Sequence, residues 1–242
     1  MKKNIRKLNK KGKFIIYFFI LLIILFIYIL ISSDIFKLKE IELKGNTKIT
    51  KSDIIDYSKI KMGENIFKYN LKDLEDKLYL NPYIKKVIIK RKIPDKLVIK
   101  IEENREYAVI TTGKRYIYIG KGGIVLSENN KLTNKNIPMI TGVYLKEKNI
   151  NKKIKFDLPN SNELISMIDN INKNNMEREI EVIKINKDYI YLNTKDNLKV
   201  IISKDLNYNI NRLKVILLDL KNKHKKGGDL DLRTKGKAIY SP

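Results

Sequence analysis

NPYIKKVIIKRKIPDKLVIKIEE, residues 81–103, is the stretch whose reading decides the fold. Two runs of alternating apolar and charged residues flank an Ile-Pro-Asp-Lys turn, in which Pro94-Asp95 reverses the chain. Val87 and Ile89 share one face of the first strand, and Leu97, Ile99 and Ile101 one face of the second. Lys86, Lys90, Lys96 and Lys100 fall on the opposite, solvated face. Asn81-Pro82 ends whatever helix comes before, because a residue preceding proline avoids the helical region. Upstream, Asn70 can cap a helix carrying Leu71, Leu74 and Leu78 on one side, with residues 62–69 as a connector. Thr50 with Asp53 reads as the cap of an earlier helix holding Ile54, Ile55 and Tyr57. Residues 36–46, FKLKEIELKGN, alternate like a strand that Gly45-Asn46 ends, and the phase slip between Leu38 and Ile41 predicts a bulge. The order is strand, helix, helix, strand, strand, with both helices expected on one face of a three-stranded sheet.

Before this unit, residues 14–31 run for 18 positions without a charge, about one bilayer crossing at ~1.5 Å per residue. A cleaved signal peptide would have a shorter apolar core and small residues before its cut, and here only Ser32-Ser33 follow. A retained transmembrane helix over 14–33 is expected. Lys2, Lys3, Arg6, Lys7, Lys10, Lys11 and Lys13 precede it with no acid between them. This asymmetry predicts a basic cytoplasmic tail over 1–13, with residues 34–242 outside the cell (inner) membrane in a single-pass topology. The net charge is +24. An external position argues against nucleic acid as the partner, and an A/T-rich genome would produce this lysine load with no ligand behind it. The absence of Cys excludes disulfides and thiolate metal sites.

From Arg105 the pattern changes to short strands, YAVIT, RYIYIG and GGIVLS, separated by glycine turns. NIPMITG at 136–142 reads as a loop carrying Pro138 and Gly142. Residues 161–174 have helical spacing through Leu164, Ile165, Ile168 and Ile171. Strands resume in EIEVIKIN, DYIYLNT and LKVIIS, and a second helix over 206–221 carries Ile210, Leu213, Ile216, Leu217 and Leu220. The expected fold class is α+β: one transmembrane helix, a strand-helix-helix-strand-strand unit over 36–104, and a mainly antiparallel β domain with flanking helices over 105–242.

The segments FKLKEIELKGN, GENIFKYN and residues 81–103 together resemble a POTRA domain, and more narrowly that of the bacterial cell-division family FtsQ/DivIB. The shared marks are Gly-Asn after the first strand, Asn-Pro after the second helix and the Arg-x-x-Pro turn at 91–94. The resemblance continues through Ala108, the IPMITG loop at 137–142 and the Asp-Leu-Arg run at 231–233, and departs from the family at Gly-Lys-Gly-Gly, 120–123, and after KVIIS, 199–203. It implies a non-enzymatic divisome protein at the septum. Such a protein links early and late components and gathers FtsB/DivIC-like and FtsL-like partners, acting through them on the septal wall synthase. It also implies that the strand after Asp-Leu-Arg serves the FtsB-type partner.

The residues themselves suggest where a partner docks. A final strand over about 229–239 comes last in the chain, with little sequence left to cover its edge, and an open edge accepts a strand from another protein. Asp231, Leu232, Arg233, Thr234 and Tyr240 are the candidate partner-binding residues. Arg233 is the first choice because a guanidinium grips a carboxylate with two hydrogen bonds. In the family that the chain resembles, an aromatic residue often stands where this sequence has Thr234, and Tyr240 can supply that packing.

Enzyme motifs are weak. Ser58 and Lys61 form an S-x-x-K pair, but nine Ser in so lysine-rich a chain yield about 1.6 such pairs by chance. The companion K-T-G is absent. His224 lies among lysines, and Glu102-Glu103 point to opposite faces of a strand. Neither a cofactor nor a metal ligand set is expected. The alternatives to a division protein are a POTRA-bearing assembly factor, a basic wall- or anionic-surface-binding module, and a hydrolase without a recognisable motif.

Overall fold

The computed structural model describes residues 10–186, 188–203 and 205–242. Lys2, Lys3, Arg6 and Lys7 of the basic tail lie outside the described residues. Helix α1, Lys10–Ser32, contains a segment, Lys11–Ile29, long and apolar enough to cross a membrane, and none of that segment is buried within the protein. A protein with so exposed an apolar helix needs lipid around it. The chain divides into two compact units, Met1–Tyr79 with Lys86–Glu103, and Leu80–Lys85 with Asn104–Pro242.

In the first unit, β1 (Glu40–Lys44), α2 (Lys51–Ser58), α3 (Leu71–Leu78), β2 (Ile84–Lys92) and β3 (Lys96–Glu103) follow the expected order. The sheet order is β1-β3-β2, with β1 parallel to β3. Both helices start where the sequence indicates. Thr50 and Asp53 form a reciprocal capping box, and the Asn70 side chain accepts from the first turn of α3. Val87, Ile89, Leu97, Ile99 and Ile101 are buried, while Lys86, Lys90 and Lys100 are exposed. Lys96 is half-buried and pairs with Glu40 at 2.5 Å.

The phase slip before Ile41 has a different cause from the expected bulge. The strand begins only at Glu40. Leu38 is buried, and its N–H donates to Glu64 O while its carbonyl accepts from Gly63 N, each at 2.8 Å, so it belongs to a separate crossing with the 63–65 loop. Gly45 closes β1 at φ +78°, where a Cβ would lie 2.4 Å from the Ile101 carbonyl oxygen. The next turn is held by Glu103, whose carboxylate accepts from the N–H groups of Thr47 (2.8 Å), Ile49 (2.8 Å) and Lys48 (3.0 Å).

The second unit is built on a nine-stranded sheet. Its strands are β4 (Ala108–Thr112), β5 (Arg115–Ile119), β6 (Val125–Asn129), β7 (Met139–Thr141), β10 (Ile180–Ile185), β11 (Ile190–Thr194), β12 (Leu198–Ile202), β13 (Gly228–Asp231) and β14 (Ile239–Ser241). Strands β8 (Leu145–Glu147) and β9 (Lys155–Phe156) form a separate ribbon. The order is β14-β13-β12-β11-β10-β7-β4-β5-β6. Most junctions are antiparallel, but β4-β7, β7-β10 and β12-β13 are parallel. Helices α4 (Ser161–Lys173) and α5 (Leu206–Asn222) bury their apolar stripes against one face. Val109, Tyr118 and Ile137 form a smaller core on the other.

Residues 139–141 correct the sequence reading. They are not loop but β7, at the sheet's centre, paired with a parallel strand on each side. Ile140 is fully buried, and Gly142 at φ +77° ends the strand where a Cβ would strike the Ile185 carbonyl at 2.3 Å. Three residues are too few to display alternation, so Pro138 and Gly142 dominate the local signal.

Candidate surface for a partner strand

The strand expected over about 229–239 is two strands. β13 ends at Asp231, the chain turns through 232–238, and β14 returns antiparallel to β13 with Asp229 opposite Ser241, Leu230 opposite Tyr240 and Asp231 opposite Ile239. β13 is therefore interior to the sheet, and β14 is its edge. From sequence, 229–239 reads as one run because Asp229, Leu230, Asp231, Leu232, Arg233 and Thr234 alternate without interruption. Gly236, at φ +75°, lies in the turn that separates the two strands.

Hydrogen-bond parity shows which groups β14 presents. Leu232 N–H donates to Ile201 O at 2.9 Å, while Ile201 lies opposite Asp231. In a parallel ladder this makes the even residues of β13 bond to β12 and leaves Asp229 and Asp231 to bond to β14. Leu230 and Tyr240 are then a non-hydrogen-bonded pair, so the N–H and C=O of Tyr240 point away from the sheet, toward the open edge. Ile239 beside it is 62% exposed.

The candidate residues take distinct positions. Asp231 is half-buried at the end of β13. Arg233 is exposed but bends back onto it, with Nε 3.0 Å and Nη2 2.6 Å from Asp231 Oδ2, and with its guanidinium 5.2 Å from the Tyr189 ring centre. The Arg233 guanidinium holds the Asp231 carboxyl below the usual carboxylate range, and Asp231 in turn pushes the Arg233 pKa up. Arg233 thus lies off the edge strand and already holds a carboxylate. Leu232 is 1% exposed and packs in the core. Thr234 is exposed in the turn. Tyr240 packs against the main core from β14, and its hydroxyl donates to Gly227 O at 3.2 Å.

One residue the sequence reading passed over organises the turn. Arg212 of α5 donates to the carbonyls of Leu232 (3.4 Å), Thr234 (3.3 Å) and Lys237 (2.5 Å) and to Asn209 Oδ1 (3.2 Å). Its guanidinium stacks over Tyr208 at 5.4 Å. The only signal in the sequence is an arginine beside the apolar stripe of an amphipathic helix, with nothing nearby to say what it reaches. The S-x-x-K serine, by contrast, is an internal support. Ser58 is 1% exposed, donates to Ile54 O at 2.6 Å and accepts from Ile60 N at 3.3 Å.

Comparison with known proteins bears on this architecture. Residues 36–104 match the family model "POTRA domain, FtsQ-type". "Cell division protein DivIB" of Clostridium tetani is 31% identical over 257 residues, covering 99% of this chain and 96% of that protein. The chain belongs to the DivIB/FtsQ family of cell-division proteins. A DivIB of Clostridium acetobutylicum is 31% identical over 212 residues, 85% of this chain and 83% of that protein. "Cell division protein FtsQ" of Syntrophotalea carbinolica is 32% identical over 114 residues, 47% of this chain and 40% of that protein. A cell-division role follows, and the exposed apolar helix α1 fits a single-pass membrane protein of this family.

Proposed function

We propose that this DivIB/FtsQ-family chain works without catalysis, as an adaptor on the outer side of the cell membrane at the division septum. FtsB/DivIC-like and FtsL-like partners gather on it, and through them it links early divisome components to the septal wall synthase. The basic residues preceding α1 support a cytoplasmic N-terminus. The observation that carries the reading is the open edge of β14, where Tyr240 turns its main-chain donor and acceptor outward and a partner strand can extend the sheet. The turn bearing Asp231, Arg233 and Thr234 flanks that edge, so these side chains help to select the partner.

The assembly-factor reading has less support. The long strand β2 is also an edge, but Val87 N–H donates to Tyr79 Oη at 3.3 Å and Ile89 N–H to Glu75 Oε1 at 2.8 Å. Side chains of the neighbouring helix take up the donors that an exported strand would need.

The test is recovery of the coiled-coil partners with the tagged, detergent-extracted chain. Removing residues 239–242 should abolish recovery while leaving the first unit folded. Tyr240→Pro, which deletes the outward N–H together with the inward-packed ring, should weaken it strongly, whereas Tyr240→Ala, which loses the ring and keeps the N–H, should weaken it less. Full recovery with the deletion would end the proposal.

A further inference from the structure

The first unit holds a cleft of about 500 Å³ beside the end of α1. Its walls include Ser32, Ser33, Lys37, Glu64, Phe67 and Lys68. Ser33 lines this cleft, and its hydroxyl, turned inward and closed off from solvent, has no hydrogen-bond partner among the described residues. A buried hydroxyl without a partner is costly, and a rotation about χ1 that brings it into the cleft would let a ligand satisfy it.

The level of the cleft relative to the bilayer follows from chain length. The apolar run over 14–31 spans about 27 Å as a helix, close to the ~30 Å hydrocarbon core, so Ser32 and Ser33 reach the headgroup boundary. Four residues from Ser32, Phe36 packs edge-on against Phe67 at 5.3 Å. Four residues cover at most about 14 Å, so Phe36 and Phe67 lie within about that distance of the headgroup boundary. Within the first unit the 65–68 loop is held by Arg91 of β2. Arg91 donates from Nε to Ile66 O at 2.9 Å and from Nη2 to Tyr69 O, and its guanidinium lies 5.6 Å from the Phe67 ring centre. Ile35, 56% exposed, and Phe67, 38% exposed, add apolar surface where interfacial side chains belong.

We propose that this cleft binds the phosphate group of a membrane phospholipid, with Lys37 and Lys68 supplying positive charge, the Ser33 hydroxyl donating a hydrogen bond, and Phe67 and Ile35 lying against the acyl-glycerol boundary. Lys37 now pairs with Asp34 at 2.8 Å, but the Asp34 side chain is 85% exposed and returns to water when a phosphate takes its place. Glu64 is occupied by the Tyr69 hydroxyl at 2.9 Å. The ligand is a lipid, not a free phosphate, because the cleft is tied to the helix end at headgroup height.

The full-length chain in detergent, incubated with phosphatidylglycerol and examined by native mass spectrometry, tests the proposal. The wild-type protein should retain the phospholipid and should not retain diacylglycerol, which lacks the phosphate. Lys37→Ala with Lys68→Ala should weaken retention about thirtyfold, the effect of two basic residues near a headgroup. Lys51→Ala with Lys72→Ala, exposed lysines elsewhere on the same unit, should leave it unchanged. Ser33→Ala should weaken retention with no fall in thermal stability, since its hydroxyl has no partner among the described residues. Equal retention by the Lys37/Lys68 variant and wild type, equal retention of diacylglycerol, an equal loss in the Lys51/Lys72 control, or displacement of the lipid by an equal concentration of glycerol 3-phosphate would each overturn it.

Discussion

Replacing Arg212 with methionine tests whether the edge strand is held in place from the helix layer. Methionine keeps an unbranched stem and good helix propensity, so α5 itself should be unaffected. What is lost is the guanidinium that collects the carbonyls of Leu232, Thr234 and Lys237. A hydrogen bond to a charged group contributes roughly 1.5–3 kcal/mol when well formed. Here the contacts at 3.3 and 3.4 Å are at the long limit, and the turn is exposed, so the set contributes about 2 kcal/mol. That loss falls on β14, a strand of three residues with a single neighbour, and not on the whole unit. Short terminal strands open locally at little cost, and 2 kcal/mol raises the open population about thirtyfold. Amide exchange measured by mass spectrometry should accelerate by about that factor in peptides covering 237–242, with β12 unchanged. Arg212→Lys should fall between, because an ammonium cannot reach the carbonyls as a planar fork does. Partner recovery should fall in the same order. Unchanged exchange at β14 in the methionine variant would refute this account of the turn.

Three further outcomes can be checked on the first unit. Ile99→Lys places a charge among buried residues and should cost several kcal/mol, enough to unfold a small unit, while Lys100→Glu next to it should be tolerated; equal thermal midpoints would mean that the faces are misassigned. Burial alone would raise the pKa of Glu103, but the N–H donors of Ile49, Thr47 and Lys48 outweigh it and hold the carboxyl below the ordinary 4.5. Its stabilising contribution is therefore present above that value and lost as pH falls through the lowered one, so Glu103→Gln should destabilise at pH 7 by about 1–2 kcal/mol and match wild type in acid, which urea titrations at several pH values would reveal. Ser58→Ala should cost about 1 kcal/mol through the lost bond to Ile54 O, and no penicillin adduct should form at this buried hydroxyl.

Much of this fold is legible because its elements repeat one rule several times over. Leu97, Ile99 and Ile101 restate the same face three times, and α4 and α5 each bury four or more residues at helical spacing. The misreadings come where the rule has no room to repeat. β7 is three residues long, and its burial is set by its neighbours β4 and β10, thirty and forty positions away in sequence. Leu38 looks like strand because it is buried, but its partner is a loop. Asp229 to Thr234 alternate as a strand should, yet Arg212 draws the carbonyls after Leu232 out of line and the strand ends early. The structure thus divides the segment that reads as one strand into β13, a turn and β14.

That geometry changes what the surface can discriminate. An arginine read from sequence as a free hand for a partner carboxylate already holds one, Asp231, through Nε and Nη2. A partner acid must displace a pair two residues apart in the chain, which costs the bonds it replaces, so exchanging one carboxylate for another gains little. The outward main-chain groups of Tyr240 have no such competitor in the ladder, and exposed Ile239 beside them offers apolar area to bury. Affinity at this edge should therefore rest on backbone pairing and apolar contact, with Arg233 and Asp231 acting as a pair that rejects ill-matched charge. On that reasoning Arg233→Glu is the harmful change, because it sets two carboxylates together beside the edge, whereas Arg233→Gln, which leaves Asp231 with a neutral amide neighbour, should reduce partner recovery only slightly.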